Sequence, residues 1–315
     1  MDPIPSPDQQ ILIGTPATLA VTWRDQTGEP AAASGSVHVS VTDANGTELV
    51  ASTAATAGAD VGEYTYALAV AANDQLAVLT ATWTDADSAM RGTLIEVVGG
   101  FWFTTADAVA AEPSMSGRDD LLTKRREVEL EAERIIGWSF VPRYNRAIVD
   151  GSGDSELLLP DLYLRKVRSV TVLLQNGATR AFTQAEIDEL LFPRDGVIRR
   201  PGSKGFDPGF ANVIVEYEHG WDRPPEDLQR ASITRLRYRM NSANSGIADR
   251  ATSYTDPASV QTIRIAPAGP GTTGMPDVDA VYQGYSAFYD GGSGPASRSF
   301  DYDPTEEAVY HGWRR

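Results

Sequence analysis

Alternation dominates the first hundred residues. Leu19, Val21 and Trp23 share one parity, as do Val37, Val39 and Val41, then Tyr64, Tyr66 and Leu68. Leu76 and Val78 begin another such run, with Trp83 further along it. Period-2 runs that are short, rich in Val and Thr and separated by turn residues predict the strands of a two-layer β-sandwich. Asp43-Ala44-Asn45-Gly46 predicts a hairpin connection, with Asn-Gly suited to the positive φ of a type I′ turn. Val98-Gly99-Gly100-Phe101 then reads as a hinge.

Past that hinge the period changes. Thr104 or Thr105 is placed to cap a short helix over 104–112, ending before Pro113. A longer helix is predicted over 118–136, with Leu121, Val128, Ala132 and Ile135 as its apolar stripe. Asp119 and Asp120 suit its first turn and Gly137 its stop. Strands follow near 145–149, 156–159, 168–174 and 212–218. Pro224 and Pro225 introduce a last helix over 224–240, with Leu228, Ala231, Ile233, Leu236 and Met240 as an imperfect stripe. From 251 onward the chain is rich in Gly, Pro, Ser and Tyr, and Met275, Val278, Val281, Tyr282, Tyr285 and Phe288 punctuate it as apolar anchors. That pattern predicts an extended arm whose anchors dock in a partner's groove, the alternative being that they pack back on the chain's own domain. The sequence thus reads as a multi-domain α+β chain. Residues 1–100 form an all-β immunoglobulin-like sandwich without its disulfide, 101–250 a helical domain with an inserted small β-sheet, and 251–315 the arm.

Charge sharpens the division. Residues 1–100 carry 12 acidic and 2 basic side chains, 101–117 only Asp107 and Glu112, 118–250 equal numbers of each sign, and 251–315 a small acidic excess. The total is −16. An acidic chain does not cling to phosphate, yet it can form a wall that DNA slides past. Glu127, Glu129, Glu131 and Glu133 occupy i, i+2 positions that do not face one another, so the run reads as a solvated or intersubunit surface. Arg230, Arg235, Arg237 and Arg239 make a basic face on the last helix, suited to acidic neighbours in another subunit, and the Glu-bearing and Arg-bearing helices are expected to meet within or between subunits.

The chemistry offered is sparse. There is no Cys, which excludes a disulfide framework, a thiol nucleophile and Cys-based metal sites, and there are three His, none within a helical turn of another. Asp150-x-Ser152-x-Asp154 faintly resembles a calcium loop but lacks Gly at loop position 6 and Glu at position 12, so it reads as a hairpin turn. His219, between Glu218 and Gly220, reads as a turn or interface residue and not a general base. No nucleophile elbow, phosphate loop or dinucleotide fingerprint is present. The N-terminus lacks the basic and apolar regions of a signal peptide, and no apolar run is long enough to span a membrane. A non-enzyme without cofactor or metal is expected.

The order of features resembles the head-to-tail adaptor (connector) proteins of long-tailed bacteriophages, notably those of phages of actinobacteria. The likeness rests on the helix after Phe103-Thr-Thr-Ala-Asp107 and on the Glu-rich helix ending in Ile136-Gly-Trp-Ser-Phe-Val-Pro-Arg-Tyr144. It continues through Asp150-Gly with Leu157-Leu-Leu-Pro160, and through Asn212-Val-Ile-Val-Glu-Tyr-Glu-His-Gly-Trp-Asp-Arg-Pro-Pro225. Gly274-Met-Pro-Asp-Val-Asp-Ala-Val281 is similar to the family's C-terminal element. The likeness covers about residues 101–290, and the sandwich is an addition to the family pattern. It implies a ring of twelve copies in the virion neck, assembled in the host cytoplasm, between the portal and the stopper or tail proteins. Double-stranded DNA passes through such a ring without sequence-specific binding. On that basis Glu127, Glu131, Arg230, Arg235 and Arg239 are expected at subunit contacts, and Met275, Val278, Val281, Tyr282, Tyr285 and Phe288 on the portal or a neighbouring subunit. The other reading of the same sequence is a β-sandwich surface-binding or adhesion protein without catalytic activity.

Overall fold

The computed structural model describes residues 7–174, 176–192, 195–202, 204–242, 253–255, 262–264 and 271–286. It is an α+β fold, mostly strands, and it separates into two compact units. The first gathers residues 1–102 with 139–224, the second 103–138 with 225–315. These units cut across the three zones of the sequence.

In the first unit, eight strands build the N-terminal layers: β1 (Gln9–Leu12), β2 (Ala17–Thr22), β3 (His38–Thr42), β4 (Glu48–Ala54), β5 (Thr56–Ala57), β6 (Glu63–Leu68), β7 (Ala77–Thr84) and β8 (Met90–Val98). One sheet runs β1-β8-β7-β3-β4, with β1 parallel to β8; the other runs β2-β6-β5. Leu19, Val39, Val41, Leu79, Ala81, Trp83 and Ile95 interdigitate between them. Each fully buried aliphatic contributes roughly 1.5–3 kcal/mol. The Trp83 indole donates to Thr93 Oγ1 at 3.1 Å, which satisfies the polar atom its burial would strand. Two local readings need correction. Leu76 precedes β7, and the core parity of that strand is Leu79, Ala81 and Trp83, so Val78 lies on the other parity. The Asp43–Gly46 turn forms, but only Gly46 has positive φ (79°). Gly46 N donates to Asp43 O, and the Asp43 carboxylate accepts from the Asn45 and Thr47 amides, as in a type I turn closed by a left-handed glycine.

The same unit contains a further, four-stranded sheet. Along the chain β8 is followed by α1 (Thr105–Ala111) and α2 (Leu121–Ile136), which belong to the second unit. Then follow β9 (Arg143–Gly151), β10 (Glu156–Leu158), β11 (Leu164–Leu173), β12 (Thr179–Ala181), α3 (Gln184–Asp188), β13 (Val197–Arg199) and β14 (Gly209–His219). The antiparallel order is β12-β11-β14-β9, with β10 and β13 paired separately. One face buries Val170, Val172, Val213, Val215 and Tyr217 beneath Phe182, Ile198 and Phe206.

The sandwich and this sheet are joined by polar contacts. Gly99 N donates to Pro142 O at 2.8 Å, and a Cβ on Gly99 would meet the Pro142 ring at 2.6 Å. Val98–Phe101 is therefore a tied segment where the sequence suggested a hinge. Asn45 donates to Glu216 at 2.7 Å, and Arg168 donates to Leu76 O at 2.8 Å.

The second unit is helical: α1, α2, α4 (Glu226–Ser242) and α5 (Pro276–Gly284), with a two-stranded ribbon of β15 (Ser253–Thr255) and β16 (Thr262–Arg264). Thr104 and Asp107 form a capping box on α1. α2 is built mostly from Leu, Lys, Arg, Glu and Ala, which are good helix formers, and stops at Gly137, whose φ of 89° a side-chain-bearing residue adopts at a cost. Asp119 and Asp120 precede this helix instead of occupying its first turn, and Asp120 pairs with Arg118. Its buried positions include Ile136 in place of Ile135, together with Arg125 and Glu129. On α4, Ser232 is buried and Ile233 is only partly so.

Candidate functional site

The residues singled out on the two long helices meet one another within the chain. Arg235 on α4 forks onto Glu131 on α2, with Nε and Nη2 each 2.8 Å from a carboxylate oxygen. Arg239 donates to Glu127 at 2.9 Å and to Glu131 at 3.0 Å, and Lys124 reaches Glu127 at 3.0 Å. Both Arg235 and Glu131 are mostly buried, so this lattice has the geometry in which charge-assisted pairing is strong. Burial alone would raise the Glu131 carboxyl. Its hydrogen bonds to Arg235 and the charges of Arg235 and Arg239 outweigh that and hold it below the usual carboxylate range.

Glu127, Glu131, Arg235 and Arg239, expected where the two helices meet within or between subunits, meet within the chain. Arg230 differs: it is exposed, with only a loose i, i+4 pair to Glu226. The glutamate run also divides. Glu129 is buried beside Arg125, with the carboxylate 3.7 Å from the guanidinium, so it is no part of a solvated face.

The anchors of the C-terminal segment form an element that periodicity alone left as an arm. α5 packs on α4 and α2 of the same unit, burying Val278 and Tyr282. Ser232 Oγ gives its proton to Leu228 O, so at 3.1 Å it accepts from the Tyr282 hydroxyl. Burial pushes the Tyr282 pKa up to about 12. Tyr285 donates to Asp227, and its carbonyl accepts from the Trp138 indole at 3.0 Å. Met275 and Val281 are half-buried, and Phe288 lies outside the described residues. Val278 and Tyr282 are occupied by the chain's own helices, which is the physical reason they are not free to anchor a partner.

In the first unit the segments that carry the family resemblance lie side by side. β9 and β14 pair in register from Arg143↔His219 to Ile148↔Ile214, and Trp221 N donates to Ser139 O just beyond. His219 is buried with its Nδ1 3.8 Å from Asp161, beyond hydrogen-bond distance, and the Asp161 carboxylate accepts from Tyr217 and Asn145. The Asp150–Asp154 stretch is a turn in which Asp150 accepts from Ala211 N and Ser152 from Asp154 N. Among the described residues no three His, Asp or Glu side chains converge as a metal site, and no helix is long and apolar enough to cross a membrane.

Comparison with known proteins gives structural neighbours only. No family model and no curated protein matches the chain. Solved neighbours include necks and a virion of gene transfer agent particles. The neck of the native particle, computed with C12 symmetry, is 14% identical over 48% of this chain and 87% of that chain, with a TM-score of 0.37. The neck of the empty particle, computed with C6 symmetry, is 17% identical over 42% and 72%, with a TM-score of 0.34. A chain of the native virion is 16% identical over the same shares, with a TM-score of 0.32.

Sequence reasoning missed the buried pair between Glu96 on β8 and Arg143 on β9, with Gln10 and Ser139 completing its hydrogen bonds. Its only signal was the placement of a Glu and an Arg within otherwise apolar strand ends. It also missed Phe210, which lies almost wholly in solvent at the start of β14.

Proposed function

We propose that this protein is a non-enzymatic head-to-tail adaptor in the neck of a phage-type virion. It forms a ring that continues the DNA conduit below the portal and receives the stopper or tail proteins. The observation that carries the reading is the pairing of β9 with β14, which sets Arg143 and Tyr144, the end of one segment that resembles the adaptor family, opposite His219 and Glu218 of the other. Motifs far apart in the sequence thus lie on neighbouring strands of one sheet.

The N-terminal layers are read as an added immunoglobulin-like domain. Supporting this are the strand order β1-β8-β7-β3-β4 against β2-β6-β5 and the parallel β1–β8 pair. With Glu127, Glu131, Arg235 and Arg239 engaged internally, Arg230 is the residue of that set left for subunit contact. A net charge of −16 keeps a ring wall from gripping phosphate. The test is loss of the gene in its phage: unjoined, DNA-filled heads and free tails should accumulate, and complementation should restore joining. Normal tailed particles without this chain would refute the reading.

A further inference from the structure

The outer face of the β12-β11-β14-β9 sheet is divided. Its lower part carries Arg146, Ser169, Glu216, Arg168 and Glu218, and it is partly covered by the chain's own sandwich through Asn45 and Leu76. The next row up is uncharged. Register places Ile148, Ile214, Thr171 and Ala181 side by side across all four strands, with Leu173 above. Ile148 is 49% and Leu173 47% exposed, well beyond what a sheet face kept for its own core would leave open.

At the same end of the β9–β14 pair stands Phe210, 89% exposed. Its loop is rigidly held. Between Gly209↔Gly151 and Val213↔Val149, β14 carries three residues against one on β9. Ala211 sits at φ 48°, where its amide is held at 2.6 Å by the Asp150 carboxylate. Buried Asn212 accepts from Gly151 N at 2.8 Å and donates to Asp207 O at 2.9 Å. A Cβ on Gly151 would meet Asp207 O at 2.0 Å, and one on Gly209 would meet Asn212 at 2.7 Å. A strained backbone and two space-limited glycines therefore present a large aromatic ring to water, and such strain persists where the presented group has a use.

We infer that Phe210 and the Ile148–Ile214–Thr171–Ala181 row form the contact by which one copy of this chain meets the next. The choice of a second copy rests on the ring reading above and on charge. Two chains of net −16 repel wherever their acidic surfaces meet. With the Arg235 and Arg239 charges engaged internally, an uncharged surface is where that repulsion is least. The row also continues the face on which the chain's own sandwich is already seated. A ring contact is head-to-tail, so a knob on one copy meets a different surface on its neighbour.

The chain has no Cys, so single Ile148→Cys and Phe210→Cys variants report burial by thiol labelling, with Val61→Cys, on an exposed turn, as reference. Full-length protein is labelled across a concentration series followed by light scattering. Assembly should slow labelling at 148 and 210 at least tenfold and leave 61 unchanged. Phe210→Asp/Ile148→Asp should raise the midpoint concentration of assembly at least tenfold, with an unaltered circular dichroism melt. Unchanged assembly by that variant, full labelling at both sites within the assembled ring, or a wild-type chain monomeric throughout would overturn the inference. So would protection that arises only when another virion protein is added. Self-assembly through this face, by a chain absent from purified necks, would refute the adaptor reading and leave this contact standing.

Discussion

Replacing Arg143 by Met tests how the first unit is held together. Glu96 and Arg143 are each under a tenth exposed and joined by a short ion pair; Gln10 donates to the other Glu96 oxygen at 2.8 Å, and Arg143 Nε donates to Ser139 at 3.1 Å. Removing one partner of a buried pair strands the other charge and costs about 3–5 kcal/mol. For a body of this size that lowers the melting midpoint by about 6–20 °C. The pH dependence gives a second readout. Burial works to raise the Glu96 carboxyl, but Arg143 and Gln10 overcome it and hold the group below its ordinary value. A depressed folded-state pKa stabilises fully above the unfolded value of about 4.3 and is lost as pH falls through the folded one. In Arg143→Met burial goes largely unopposed and the Glu96 pKa rises. The variant is then penalised at neutral pH and recovers on acidification, so its deficit against wild type should narrow between pH 7 and pH 4. Urea unfolding monitored by tryptophan fluorescence and circular dichroism measures both quantities. Glu96→Met/Arg143→Met should lose much less than Arg143→Met alone. A loss under about 1 kcal/mol, or a deficit independent of pH, would refute the buried-pair argument.

Reversing Arg235 and Arg239 to Glu should destabilise the helical unit of the monomer itself, since both side chains face Glu127 and Glu131 of the same chain; a double variant with a wild-type melt would contradict the intrachain lattice. Tyr282→Ala should cost about 3–5 kcal/mol and strip hydrogen-exchange protection from α5 of the free chain, whereas an α5 unprotected in the wild-type monomer would show that it does not dock on α4 alone.

Local rules made much of this fold legible. Alternation located Val39 and Val41 on β3 with Val37 just before it, and Leu19 with Trp23 on and just past β2, because a half-buried strand has no other way to divide its two faces. Glycine at 137 marked the end of α2, and Asn45-Gly46 marked a hairpin, although its turn type depended on the Asp43 carboxylate gathering two amides. Helical periodicity found most of the buried stripe on α2 and α4 for the same reason, and charge marked the helices' polar faces without saying which partner they had. Whether Arg235 meets a carboxylate of its own chain, or Tyr282 a serine on α4, depends on how separate helices are brought together, and no spacing along the chain encodes that. The C-terminal segment reads as an arm because α5 holds only two buried side chains; its stability comes from the groove it fills, not from its own pattern. Glu96 and Arg143 lie 47 residues apart, and each alone is a polar residue in an apolar run. Only the folded chain removes both from water at one point, and the low dielectric there turns two unremarkable side chains into a strong mutual constraint.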